Sequence, residues 1–341
     1  MSSNIVNALV VRDLKVAAGK LPILKGVDLV LAPGDRLGLV GESGSGKSIL
    51  ALSIMQLQRP PVRIVSGDVC VGAVNLTKAS RHALDRVRGS SISMIFQDAS
   101  QALNPLMTVG DQVVEAVMLH SAASKHEAVS RAIDLLGDVG IPNARKRFAA
   151  YPYEFSGGMR QRVMIAIALA GDPAVLLCDE PTTALDVTTQ AKVLSLLDRL
   201  CAARGLAALL ITHDMGVAAG FCDEMAVMYA GEIMERATTP ALYSSPRHPY
   251  TQALMSATLD LDADIARPLP TIEGQPTLAH EVLDGCAFAP RCPFAIAACK
   301  LAKVDLEPAG RGLARCIRVD ELPSAAHHRL PGSTDARAKE L

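Results

Sequence analysis

Eight consecutive residues, Gly41-Glu42-Ser43-Gly44-Ser45-Gly46-Lys47-Ser48, could do chemistry on a phosphate chain. Gly41, Gly44 and Gly46 let successive backbone N–H groups turn inward around phosphate oxygens, and a helix starting there adds the positive end of its dipole. Lys47 would neutralise the β and γ phosphates, and the Ser48 hydroxyl, one residue on, is placed to ligate a Mg²⁺ ion bridging them. Ser43 and Ser45 complete the loop. A Gly/Ser loop of no consequence would explain a bare G-x-G-x-x-G. It does not explain the whole pattern set between an apolar strand at Arg36–Val40 and a helical stretch at Ile49–Leu57.

A second set of reactive groups lies further along. The apolar run Ala174–Cys178 ends in Asp179-Glu180-Pro181, the form of a buried parallel strand opening onto a site at its carboxyl end. Asp179 would hold the Mg²⁺ through water, and Glu180 would act as general base on the water attacking the γ-phosphate. A solvated turn would also carry two acids, but another apolar run, Ala207–Thr212, ends beside them in sequence type with His213-Asp214. His213 is then placed to meet the γ-phosphate. At Phe155-Ser156-Gly157-Gly158-Met159-Arg160-Gln161-Arg162, Ser156 can cap a helix running to Ala170 and ending at Gly171. The two glycines expose N–H groups at its start, which makes a second phosphate-binding helix end.

These residues need an α/β scaffold of parallel strands, and the chain is long enough for one. Its 341 residues, 50% of them hydrophobic, suit one large domain and a smaller appendage. The net charge of -1 gives no long-range attraction to nucleic acid or anionic lipid. The longest apolar stretch, Val163–Ala170, falls far short of the roughly 20 residues that span a bilayer. The first residues, Met1–Val11, lack a basic leader and a small-residue cleavage site, so a cytosolic protein is expected.

The ordered set of loop, Ser156-Gly157-Gly158 segment and acidic strand end resembles the ATPase subunits of ATP-binding-cassette transporters. The resemblance implies a RecA-like P-loop core with an antiparallel β subdomain and a helical subdomain at about residues 99–170, within a nucleotide-binding domain at 1–240. It implies ATP and Mg²⁺ as ligands, and a dimer in which Ser156, Gly157 and Gly158 close over ATP on the opposite subunit's P-loop. Gln97, in Phe96-Gln97-Asp98, matches the glutamine that senses Mg²⁺ and touches membrane subunits. Asp186, in Ala184-Leu185-Asp186, matches a loop crossing the dimer interface. Two departures stand out. Phe155 replaces the usual leucine, and Ala18 stands near the usual adenine-stacking aromatic, a loss of about 1 kcal/mol.

Within that family, Ala102-Leu103-Asn104-Pro105-Leu106, the run Pro181–Thr188 and His248-Pro249-Tyr250-Thr251-Gln252-Ala253-Leu254 resemble the dipeptide, oligopeptide and nickel importers, with opine carriers among their relatives. That branch implies a second, different ATPase subunit, two transmembrane permeases, an extracytoplasmic solute-binding protein and a place on the cytoplasmic face of the inner membrane. Nucleic acid is not an expected partner. A cassette ATPase acting on DNA or ribosomes would need a coiled-coil insertion or two cassettes, and a P-loop kinase would leave Ser156–Gly158 and His213 without purpose.

Eight cysteines fall into two sets. Cys70, Cys178, Cys201 and Cys222 sit in apolar surroundings and read as inert. Cys286, Cys292, Cys299 and Cys316, spaced C-x5-C, C-x6-C and C-x16-C, crowd into a small proline-rich C-terminal domain at 241–325, entered through a linker at Arg267–Pro276. In a reducing compartment four thiolates suit zinc or an iron–sulfur cluster. Without C-x2-C knuckles, and with the resemblance, a [4Fe-4S] cluster is the expectation and zinc the alternative. Residues 326–341 are polar and expected to be disordered.

Overall fold

The computed structural model describes residues 7–183, 185–257, 271–281, 284–301 and 303–322. Ala184, the first four residues of the expected linker (267–270) and the expected disordered tail lie outside them. Strands β1 (Leu9–Ala18), β2 (Leu21–Leu31), β4 (Val62–Val71) and β5 (Val74–Asn75) form an antiparallel sheet in the order β2-β1-β4-β5. The second sheet runs β11-β12-β10-β9-β3-β8-β7-β6, with β3 (Arg36–Val40), β6 (Ile92–Ile95), β7 (Val175–Asp179), β8 (Ala207–Thr212), β9 (Glu224–Tyr229), β10 (Glu232–Thr238), β11 (Glu307–Ala309) and β12 (Gly312–Ala314). Its five strands from β9 to β6 are mutually parallel, and β10, β12 and β11 continue it antiparallel.

Every residue of β7 and β8 is buried, which is why these strands read as continuous apolar runs. Their side chains divide by parity between two cores. Leu37, Leu39, Val175, Leu177, Leu209 and Ile211 face one way, onto the antiparallel sheet and the helix Lys47–Ile54. Val40, Leu176, Cys178, Ala208, Leu210 and Val227 face the other, onto a helical layer built from Val109–His120, Lys125–Asp138, Gly157–Ala168 and Val187–Arg204. The sheet is thus sandwiched, and its carboxyl ends are free to carry the site.

The helical layer has well-made starts. Thr108, Ser124, Ser156 and Asp186 each accept a hydrogen bond from a backbone N–H of the first turn, and Ser124 with Glu127 makes a full capping box. One end differs from expectation. The helix from Gly157 stops at Ala168, and Gly171 serves close packing instead: a Cβ there would lie 2.2 Å from the Gly89 carbonyl oxygen. Among the described residues no helix is long and apolar enough to cross a membrane.

The C-terminal residues do not stand apart. β12 pairs with β10 through Glu235↔Ala314, Arg236↔Leu313 and Ala237↔Gly312, and Phe288 and Ala287 are buried in the same core as Tyr229 and Tyr250. The expected boundary at residue 240 therefore falls within one continuous sheet and core.

Candidate functional site

The loop Gly41–Gly46 leaves the carboxyl end of β3 and enters the helix Lys47–Ile54. Gly41 has φ 154° and lies so close to β9 that a Cβ would sit 2.1 Å from the Met228 carbonyl oxygen, so only glycine fits. Gly46 takes a left-handed φ of 107° and offers no side-chain cap, which leaves the first N–H groups of the helix facing the loop. Lys47 is 6% exposed, and its Nζ donates to the carbonyls of Gly41 at 2.8 Å and Glu42 at 2.9 Å. Burial lowers its pKa against the opposing pull of Glu180, Asp179 and Glu42.

The ends of β7 and β8 bring the acidic groups to this loop. Ser48 Oγ donates to Asp179 Oδ1 at 3.0 Å, so a hydroxyl and a carboxylate oxygen stand together next to Lys47. Both are hard oxygen donors of the kind Mg²⁺ takes alongside phosphate oxygens. Burial raises the Asp179 pKa, an effect a bound cation would reverse. Glu180 sits at φ 46°, a left-handed conformation uncommon for a residue with a side chain. Its Oε2 accepts from Gln97 Nε2 at 2.8 Å and from Thr183 Oγ1 at 2.8 Å, and its Oε1 lies 3.1 Å from His213 Nδ1. Burial works to raise the Glu180 pKa, but the bonds to His213 and Thr183 and the charge of Lys47 outweigh it and leave it lowered. The carboxylate is therefore ionised at neutral pH, as a base must be.

Six expected residues, Lys47, Ser48, Gln97, Asp179, Glu180 and His213, are joined here by hydrogen bonds or by charge. Ser156, Gly157, Gly158 and Asp186 are not among them. Ser156 caps its own helix, and a Cβ on Gly158 would meet Thr189 Cγ2 at 2.4 Å, in the helix that Asp186 caps. These four form a second cluster, and among the described residues no hydrogen bond joins it to the P-loop.

Beside the P-loop lies a cleft of about 500 Å³ lined by Val16, Pro22 and Leu24 of the antiparallel sheet and by Gly285, Ala287 and Lys303 of the C-terminal segment. Leu24 is its link to the loop, since a Cβ on Gly46 would come within 2.9 Å of Leu24 Cδ2. Lys15, Lys20, Lys25, Arg63 and Lys303 make it cationic, against Glu232 alone. The lining of the cleft, Ala17 and Gly19 included, is aliphatic and basic and holds no aromatic ring among the described residues.

The four C-terminal cysteines come together, but not as the metal site expected of them. Cys286, Cys292, Cys299 and Cys316 all line one apolar cavity with Phe288, Phe294 and His248. That cavity is about 20 Å³, on the order of one water molecule. Among the described residues no group of three or more His, Cys, Asp or Glu side chains is set to hold a metal ion. Burial pushes the Cys286 pKa up to about 11 and raises those of Cys292 and Cys316, favouring protonated thiols. The donor set suits zinc or an iron–sulfur cluster, but this arrangement does not, so neither is supported as a cofactor.

Comparison with known proteins settles the family. Residues 24–183 match the family model described as "ABC transporter", and residues 234–299 match that of the "Oligopeptide/dipeptide transporter, C-terminal region". A Brucella abortus protein named as a peptide import ATP-binding protein is 44% identical over 304 residues, covering 89% of this chain and 91% of its own. The chain belongs to the ABC transporter ATPases. A Sinorhizobium fredii peptide ABC transporter ATP-binding protein is 47% identical over 278 residues, 81% of this chain and 83% of that one. Among solved structures, a dimeric ATP-binding cassette in a post-hydrolysis state, bound to ADP and phosphate, superposes with a TM-score of 0.60 at 28% identity. It is covered over 98% of its length by 68% of this chain. As an ABC ATPase, the chain has ATP hydrolysis as its chemistry, and the mixed parallel and antiparallel sheets with a helical layer are the architecture of the cassette.

Four residues at the site were not marked as functional from sequence: Thr183, Glu42, Tyr250 and Arg291. Glu42 could be noticed from sequence, as a carboxylate inside a loop read as receiving phosphates. The sequence gives no hint that its cationic partner lies 249 residues further on.

Proposed function

We propose that the chain is the ATP-hydrolysing subunit of a peptide importer, working in a dimer and driving uptake through partner permeases. The observation that carries the hydrolytic half is Glu180, an ionised carboxylate held by Gln97, Thr183 and His213 at the end of the strand that also presents Asp179 to Ser48. Glu180 accepts the proton of the attacking water. Lys47 and the helix N-terminus hold the β and γ phosphates, and Ser48 with Asp179 would hold Mg²⁺, which offsets phosphate charge when bound. Gln97 and His213, each bonded to the base, report γ-phosphate occupancy to the rest of the chain. The Ser156-Gly157-Gly158 helix start and Asp186 act on nucleotide held by a second subunit, which fits their distance in bonding from this chain's own loop.

The transport half is supported by the C-terminal match at 234–299 and by relatives that are named for peptide import. A permease pair, a solute-binding protein and a partner ATPase then place the chain at the cytoplasmic face of a membrane. The test is reconstitution with the cognate permeases in vesicles. ATP turnover should rise when the permeases and a peptide-loaded binding protein are present, and Lys47→Ala should abolish it. Full turnover by the chain alone, indifferent to permeases and peptide, would overturn the transport reading.

A further inference from the structure

A bond network ties the C-terminal segment directly to the phosphate cradle. Arg291, only 3% exposed in its side chain, donates from Nη1 to Glu42 Oε2 at 2.7 Å and from Nη2 to Glu42 Oε1 at 3.1 Å. This is the two-pronged pairing of a guanidinium with a carboxylate. The other donors are also used: Nε reaches the Glu273 carbonyl at 3.0 Å, Nη2 the Ile272 carbonyl at 3.1 Å and Nη1 the Tyr229 hydroxyl at 3.3 Å. A guanidinium with every N–H group committed is held in one place. Glu42 has a second tie, since its backbone N–H donates to the Tyr250 hydroxyl at 2.9 Å. Tyr229, Tyr250 and Phe288 pack as a ring cluster beneath, with centroids 4.6 to 5.5 Å apart. The carbonyl of the same Glu42 accepts from Lys47 Nζ. Glu42 therefore stands between the C-terminal segment and the lysine that meets phosphate.

We infer that Arg291 is a positioning residue for the P-loop, and that the C-terminal segment thereby sets nucleotide affinity. The inference rests on reading Gly41–Ser48 as the phosphate cradle. Two effects act in the same direction. The paired guanidinium fixes the loop with its N–H groups turned inward, so less ordering is left for the nucleotide to impose. It also neutralises a carboxylate that would otherwise repel an anionic ligand a few residues away. Arg291 is followed in sequence by Cys292, which lines the four-cysteine cavity, so a change in that cavity has a one-residue route to the cradle.

Equilibrium binding of a fluorescent ATP analogue with Mg²⁺ to the full-length chain tests this. Arg291→Gln should weaken binding about tenfold, because it leaves Glu42 charged and unpaired. Adding Glu42→Gln to it should restore binding to within about threefold of wild type by removing that charge. Tyr250→Phe, which frees one N–H and buries no charge, should weaken binding by about threefold and keeps the test open if Arg291→Gln does not fold. Unchanged binding in both Arg291→Gln and Tyr250→Phe would overturn the inference, as would a double variant as weak as Arg291→Gln. Lys47→Ala tests the cradle separately: binding equal to wild type there would refute the cradle reading itself, whatever Arg291 does.

Discussion

Replacing Glu180 by glutamine removes one function and leaves the shape. Glutamine is nearly isosteric, and with its carbonyl in the place of Oε2 it still accepts from Gln97 and Thr183, both at 2.8 Å in the native site. Its amide then faces His213 Nδ1, which can accept as the other tautomer. What is lost is the proton acceptor, and general-base catalysis contributes about a hundredfold to ten-thousandfold. That loss is roughly 3–5 kcal/mol on the barrier. Nucleotide binding should not suffer, because one negative charge has gone from beside Lys47, where polyphosphate is expected to lie. Turnover measured by phosphate release, beside equilibrium ATP binding on the same preparation, separates the two. Turnover down at least about a hundredfold with affinity equal or tighter is the expected result. Turnover within about threefold of wild type, or a loss confined to KM, would refute the assignment of Glu180 as base.

Other consequences can be read from the same structure. Gly41→Ala places a Cβ 2.1 Å from the Met228 carbonyl oxygen at a φ of 154°, so it should abolish ATP binding and lower the melting temperature, measured by calorimetry. Ser156→Ala removes a helix cap worth about 1 kcal/mol, and should lower stability by that amount in urea titration. Gly158→Val should disturb the contact with Thr189 and impair turnover in the dimer while leaving nucleotide binding to the isolated chain intact. Burial raises the Cys286 pKa from the usual value near 9 to about 11, and the thiolate is the reactive form. Alkylation of Cys286 at pH 8 should then run at about a hundredth of the rate of a free thiol and climb steeply as pH rises toward 11, as mass spectrometry of the native protein would show.

The candidate site was largely legible because the residues proposed for it fall in short stretches. Loop, strand end and helix start each span no more than eight residues, and apolar runs such as Val175–Cys178 announce buried parallel strands without reference to the rest of the chain. Legibility failed where meaning depends on distant pairing. Arg291 lies among prolines and cysteines, and nothing local marks it as the partner of Glu42. Gly171 looks like a helix stop, yet its role is set by Gly89 on a neighbouring segment. The cysteines show the same limit. Their spacing brings four thiols to one cavity, but a ligand shell needs sulfur-to-sulfur geometry, which spacing does not supply.

The pairing of β10 with β12 bears on how the protein can be cut. A fragment ending at residue 240 would look like a complete cassette, but it would strip the cover from Glu235, Arg236 and Ala237 and expose the backbone of β10 along its outer side. Bare strands of that kind recruit other strands. In the whole chain the growth is stopped by β11 and β12, each three residues long and so too short to template another copy, with Pro308 in the outer strand β11. The C-terminal segment is in this sense a stopper on the sheet, and expression of the cassette without it should yield aggregates rather than a smaller enzyme.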